Sequence, residues 1–184
     1  LLVGAFVVVS VLALAAIRPR DGGFVTGGGV EGVNLDEVSN EQMEAVIAAN
    51  AELPQVAAME VALADRYFDE GAYSDALPHY LSALDGQLDS TRRARALARV
   101  GWMSFASGRA DLAEVYLGEA LETEPGYEES RLFLGLVLLN EGRPSEALAQ
   151  LEPLLAGDAL PDELRPEVEA AVELARSQVE ERSG

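Results

Sequence analysis

Gly71, Gly108 and Gly142 each follow an amphipathic stretch, and each is answered five residues later by an alanine: Ala76, Ala113 and Ala147. The steps between the glycines are 37 and 34 residues, and a period near 34 specifies antiparallel helix pairs stacked side by side. Ala64, Gly101 and Gly135 fall in the first helix of each pair, where a small residue lets the two helices approach closely. The turn glycines can take left-handed backbone geometry, which ends a helix without a Cβ clash. Tyr80, Leu117 and Leu151 are expected to fill the space between units. The three additional residues of the first interval are expected in the loop around "DGQLDS".

These positions resemble the tetratricopeptide repeat. Leu63, Ala64, Tyr67, Gly71, Ala76, Tyr80 and Ala83 match its pattern in the first unit. Gly101, Gly108, Ala113, Ala120 and Pro125 do so in the second, and Leu134, Gly135, Gly142, Ala147 and Leu151 in the third. The tryptophan expected early in each first helix is replaced by Glu60, Leu97 and Arg131, and the first unit lacks its closing proline. The resemblance implies an all-α fold, a helix-turn-helix solenoid of about three repeats over residues 57–161, divided as 57–93, 94–127 and 128–161. Residues 162–184, rich in Glu and Arg, read as a capping helix over the open end of the array, with Glu167, Glu169 and Glu173 facing water.

Ahead of the repeats, residues 39–56 carry a short leading helix. Ser39 and Gln42 form a capping-box pair, and Val38 and Met43 are spaced as a hydrophobic staple, so the helix is predicted from Asn40 to Ala49. Residues 18–38 are glycine-rich and lack a buried-face period, which reads as a flexible tether. Residues 1–17, "LLVGAFVVVSVLALAAI", carry no charge; as a helix they would reach about 26 Å at about 1.5 Å per residue. That nearly crosses a hydrocarbon core of about 30 Å, so the segment is read as an N-terminal transmembrane anchor. A cleaved signal peptide also fits, since Ala13-Leu14-Ala15 matches a small-x-small site, and so does a buried helix. The chain starts at Leu1 rather than methionine, so further residues are expected upstream. Arg18 and Arg20 would hold the following part in the cytoplasm by the positive-inside rule.

The charge balance narrows the partners. With 32 acidic residues, 13 basic ones and a net charge of −19, the chain repels phosphate backbones and anionic lipid heads, so nucleic acid is excluded as a partner. All the basic residues are arginines. The absence of cysteine rules out disulfides, thiolate metal sites and cysteine nucleophiles, and the lone His79 cannot build a multi-histidine metal site. The "GGG" at Gly27 to Gly29 lacks the lysine of a phosphate-binding loop, and Glu128 and Glu129 read as a solvated helix face. No catalytic residue, metal ligand or cofactor is therefore expected. His79 is read as exposed or partly packed rather than as a ligand.

In arrays of this kind the first helices line a concave groove. Counting along them places Asp65 and Phe68 there from the first unit, Arg95, Arg99, Trp102 and Phe105 from the second, and Phe133 and Leu136 from the third. Such an aromatic floor with two cations suits an extended or helical peptide, its apolar side chains on Trp102 and Phe105 and a carboxylate near Arg95 and Arg99. Packing of some of these residues against the leading helix is the competing expectation.

The order of anchor, tether, "LDEVSNEQMEAVIAANAELP" and "ALADRYFDEGAYSDALPHYLSAL" resembles the membrane-anchored tetratricopeptide proteins of bacterial c-type cytochrome biogenesis, the group that includes the accessory subunit of the haem lyase. The resemblance implies a non-enzymatic apocytochrome c chaperone, single-pass in the bacterial cytoplasmic membrane with its soluble part outside, working with the haem lyase membrane subunits. No haem-binding or catalytic residue carries over. The alternative is a general scaffold or a regulatory subunit of another envelope complex.

Overall fold

The computed structural model describes residues 38–157 and 160–183. The anchor expected at 1–17 and the tether up to residue 37 lie outside the described residues. Among the described residues no helix is long and apolar enough to cross a membrane. The fold is all-α, with eight helices among the described residues, and it divides into two compact units that meet in sequence between Gln87 and Leu88.

The first unit holds α1 (Asn40–Ala49), α2 (Val56–Asp69) and α3 (Tyr73–Asp85). Helix α1 starts where its capping signals predict. The Gln42 amide donates to Ser39 Oγ at 3.2 Å, and the Ser39 amide donates to Gln42 Oε1 at 2.9 Å. Its buried Met43 and Ile47 pack with Val56 and Leu63 of α2, and Val38 joins the same cluster as a half-buried neighbour. Arg66 then fixes the chain entering α1, donating to the Val38 carbonyl at 2.6 Å and to Asn40 Oδ1 at 3.3 Å.

The second unit holds α4 (Ser90–Ala106), α5 (Ala110–Thr123), α6 (Glu128–Asn140), α7 (Pro144–Ala156) and α8 (Arg165–Ser183). Helices α4 and α5 form one hairpin and α6 and α7 the next; α5 and α4 both pack on α6, and α8 lies over α7 and α6. Val168, Ala171, Val172 and Ala175 form the buried stripe of α8, while Glu167, Glu169 and Glu173 are exposed as expected. Three arginines hold α8 in place. Arg165 donates to the Leu155 and Gly157 carbonyls, Arg176 to the Glu152 carboxylate, and Arg182 to the Gly142 carbonyl at 2.7 Å.

All three hairpins close with the same turn. Gly71, Gly108 and Gly142 have φ of 75°, 77° and 71°, a region that a side chain would strain. In each, the glycine amide bonds three residues back and the next amide five residues back, as Ala72 to the Tyr67 carbonyl, Arg109 to Ser104 and Arg143 to Leu138. This is the double bond of the Schellman motif, and it satisfies carbonyls that the helix end would otherwise leave open. Ala64, Ala76, Tyr80, Ala113, Leu117, Ala147 and Leu151 are fully buried. Leu117 and Leu151 lie against the Gly101 and Gly135 positions and Tyr80 against Asp65 and Phe68. These three therefore pack within their own hairpins rather than in the expected space between units, because the glycine opposite each leucine leaves room there for a large side chain.

The register of the first interval differs from expectation. The loops before α4 and α6 both span four residues, 86–89 and 124–127, so the longer interval is not absorbed in "DGQLDS". It is taken up by α4, which has 17 residues where α6 has 13. The cause is Asp89, whose side chain accepts the Arg92 amide at 2.8 Å and starts the helix at Ser90, ahead of the expected boundary at residue 94. That amide, more than the neighbouring guanidinium, holds the Asp89 carboxyl below its ordinary range.

Gly135 marks the closest helix approach. A Cβ there would lie 2.5 Å from Leu151 Cγ, and Leu151 is fully buried and cannot retreat. Gly118, in the middle of α5, has nothing within 4 Å of the same position. Gly135→Ala is therefore expected to lower stability by about 1–3 kcal/mol through overpacking. Gly118→Ala should raise it by about 1 kcal/mol through helix propensity. Denaturant midpoints at constant slope give both values, and a shift of the same sign in the two variants would contradict the packing described.

Candidate functional site

Six of the eight residues expected to line the groove lie on α4 and α6 of the second unit. The Trp102 and Phe133 rings stack at 4.7 Å between centroids with 26° between planes, and Phe105 tilts against Trp102 at 5.6 Å. Trp102 and Phe133 are nonetheless 4% and 2% exposed. They therefore serve as packing between α4 and α6, and the side chains of this face that remain half-buried are Arg95, Phe105 and Leu136. Asp65 and Phe68 belong to the first unit. Asp65 accepts the Tyr80 hydroxyl at 2.5 Å, and Phe68 packs against the Tyr73 and Tyr80 rings.

The cations are placed differently from expectation. Arg99, only 4% exposed, donates its Nε to Glu129 Oε1 at 3.3 Å, and the Tyr127 hydroxyl donates to the other carboxylate oxygen at 2.6 Å. Arg95 lies against the same hydroxyl. Burial, then the Glu129 charge, pushes the Tyr127 phenol well above its ordinary range, against the opposing pull of Arg95. Glu129 is thus no solvated helix face. It occupies the place beside Arg99 where the sequence reading set a peptide carboxylate. Sequence could not have revealed this pairing, because the partners are 30 residues apart and meet only through the stacking of α4 on α6.

A second polar cluster lies between α2 and α3, with a contact to α1. Glu60 stands where the repeat pattern expects a tryptophan, and its side chain is 9% exposed. One oxygen meets His79 Nδ1 at 2.5 Å and the other accepts the Ser82 hydroxyl at 3.0 Å. His79 is partly packed, as expected, with its ring stacked on Tyr67 at 5.8 Å. The carboxylate lies between the serine and the histidine, so His79 cannot take a proton from Ser82, and the cluster is not a nucleophilic triad. Among the described residues no three His, Asp or Glu side chains group to hold a metal ion.

Tyr67 extends the cluster to α1 through its hydroxyl, which donates to Glu44 Oε1 at 2.5 Å. That bond, followed by burial and the Glu44 charge, pushes the phenol up to about 12. A raised folded-state value means that the stabilising contribution is complete below the unfolded value of about 10 and is lost as pH rises through about 12. Ultraviolet titration is expected to show one tyrosine ionising near that upper value, and Glu44→Gln should bring it back toward about 10. An unchanged titration in the variant would show that the bond does not form.

Small residues at the helix crossings and Schellman turns in all three hairpins, with two of those hairpins packed together in the second unit, make an all-helical fold like that of tetratricopeptide repeats. The family model described as tetratricopeptide repeat matches residues 104–165, from the end of α4 to the start of α8. The crystal structure of MamA is similar in fold, with a TM-score of 0.53 and 22% sequence identity, over 78% of this chain and 88% of that one. No curated protein matches the sequence.

Proposed function

We propose that the chain is a non-enzymatic, membrane-tethered scaffold that holds a partner's peptide against α4 and α6. The observation that carries this reading is half-buried Phe105 tilted against the Trp102–Phe133 stack, with half-buried Leu136 three residues beyond Phe133 on α6. Apolar peptide side chains can rest there on a support that is already ordered, so the cost of ordering falls on the peptide alone. Because Glu129 already holds Arg99, the grip is apolar rather than a carboxylate clamp. A tether at the membrane raises the effective concentration of neighbouring partners, so a weak contact suffices.

The partner we favour is apocytochrome c during c-type cytochrome assembly, with the soluble part outside the cytoplasmic membrane. Its support is the resemblance carried by "VSNEQMEAVIAAN", the segment that forms α1. Affinity purification of the full-length protein, beside a Phe105→Ser, Leu136→Ser variant of unchanged circular dichroism, tests both levels. Recovery of apocytochrome c or haem lyase subunits by the parent, and their loss from the variant, is the expected result. Recovery by both forms would remove the α4–α6 face, and an unrelated envelope complex would remove the cytochrome assignment.

A further inference from the structure

A cleft of about 260 Å³ opens between α5, α6 and α7 of the second unit, away from the peptide face described above. Its apolar wall is Leu134 and Leu138, and Glu114, Arg143, Glu146 and Gln150 supply the polar lining. Arg143 donates to Glu114 Oε2 at 2.6 Å and to both oxygens of Glu146 at 2.7 and 2.6 Å. Glu114 Oε1 has no donor in this set, and two carboxylates against one guanidinium leave the rim one negative charge in excess. The amide oxygen of Gln150 is buried and, among the described residues, has no hydrogen-bond partner.

These features share one explanation. A buried acceptor without a donor is costly, and native structures fill such positions with water, an ion or a ligand group. The cleft is smaller than the sites of about 300 Å³ and above that hold whole small molecules. It is suited to a single long side chain. An aliphatic stem would lie along Leu134 and Leu138, as basic side chains bury their stems while the head stays polar. A cationic head carrying several N–H donors would satisfy Glu114 Oε1, reach the Gln150 oxygen by rotation of that amide, and neutralise the rim. A net charge of −19 attracts basic surfaces in the same direction.

We propose that this cleft between α5, α6 and α7 is an anchoring pocket for a long basic side chain, arginine or lysine, of a protein partner. It is independent of the α4–α6 peptide face, and the loss of either reading leaves the other standing.

The test follows leucine methyl signals of the full chain by NMR during titration with Nα-acetyl-arginine amide. The uncharged isostere Nα-acetyl-citrulline amide serves as the control. Leu134 and Leu138 are expected to shift with arginine and several-fold less with citrulline, and Gln150→Leu should weaken the arginine response about tenfold. Glu167→Gln, on the exposed face of α8, should leave it unchanged. The proposal is overturned if Leu134 and Leu138 stay fixed while the probe shifts signals elsewhere, which would mark diffuse attraction to an acidic surface. Equal responses from the parent and Gln150→Leu would overturn it as well, leaving water as the partner of that amide.

Discussion

Exchanging His79 for leucine is expected to destabilise the α2–α3 hairpin by about 3 kcal/mol. The exchange keeps an apolar body against Tyr67 but removes the donor from Glu60, whose carboxylate is nearly buried and would retain only the Ser82 hydroxyl. A buried charge that loses its partner costs far more than the pair contributes when intact. The companion variant follows from the same argument. Replacing both residues by leucine restores an apolar contact of similar volume and should return stability to within about 1 kcal/mol of the parent. Hydrogen exchange at the α2 and α3 amides reads both, and additive losses in the double variant would show that the two side chains are not coupled.

Trp102→Ala carries the largest expected loss, about 3–5 kcal/mol. The indole is 4% exposed and touches the rings of both Phe105 and Phe133, so truncation leaves a cavity between two helices whose backbones are pinned by their turns. Thermal unfolding followed by circular dichroism measures it. A loss below about 1 kcal/mol would place the indole in solvent and return it to the ligand-binding surface. The distinction matters for function: a peptide lost by Trp102→Ala would be lost through unfolding, whereas Phe105 and Leu136 can be changed without emptying the core.

Much of the fold was legible in the sequence because its determinants are local. Ser39 and Gln42 fix the start of α1 across three residues, and each turn glycine with its following alanine fixes a hairpin within a few more. Asp89 is also a local signal, a cap within "DGQLDS", where the surplus residues are expected as loop. A cap and a longer loop both account for three surplus residues, and only the helix geometry separates them. The face of α4 and α6 was legible as a set of positions but not as an environment. Helical counting puts Arg99 and Trp102 on one side of α4, whereas their burial depends on what α6 brings opposite, and Glu129 arrives there from 30 residues away. Glu60 was misleading for a related reason, since a carboxylate in a tryptophan position looks like a defect until His79 and Ser82 are found beside it.

The way α8 is fastened bears on ionic strength. Arg165 and Arg182 donate to main-chain carbonyls, and only Arg176 relies on carboxylates, those of Glu152 and Glu173. Ion pairs at a surface fade as added salt screens them, but a guanidinium bonded to a peptide oxygen has no opposite charge to lose. With Val168 and Val172 buried beneath, the closing helix should stay seated in brine as firmly as in dilute buffer. In so acidic a protein, added salt would then relieve the mutual repulsion of surface carboxylates without loosening the end of the stack.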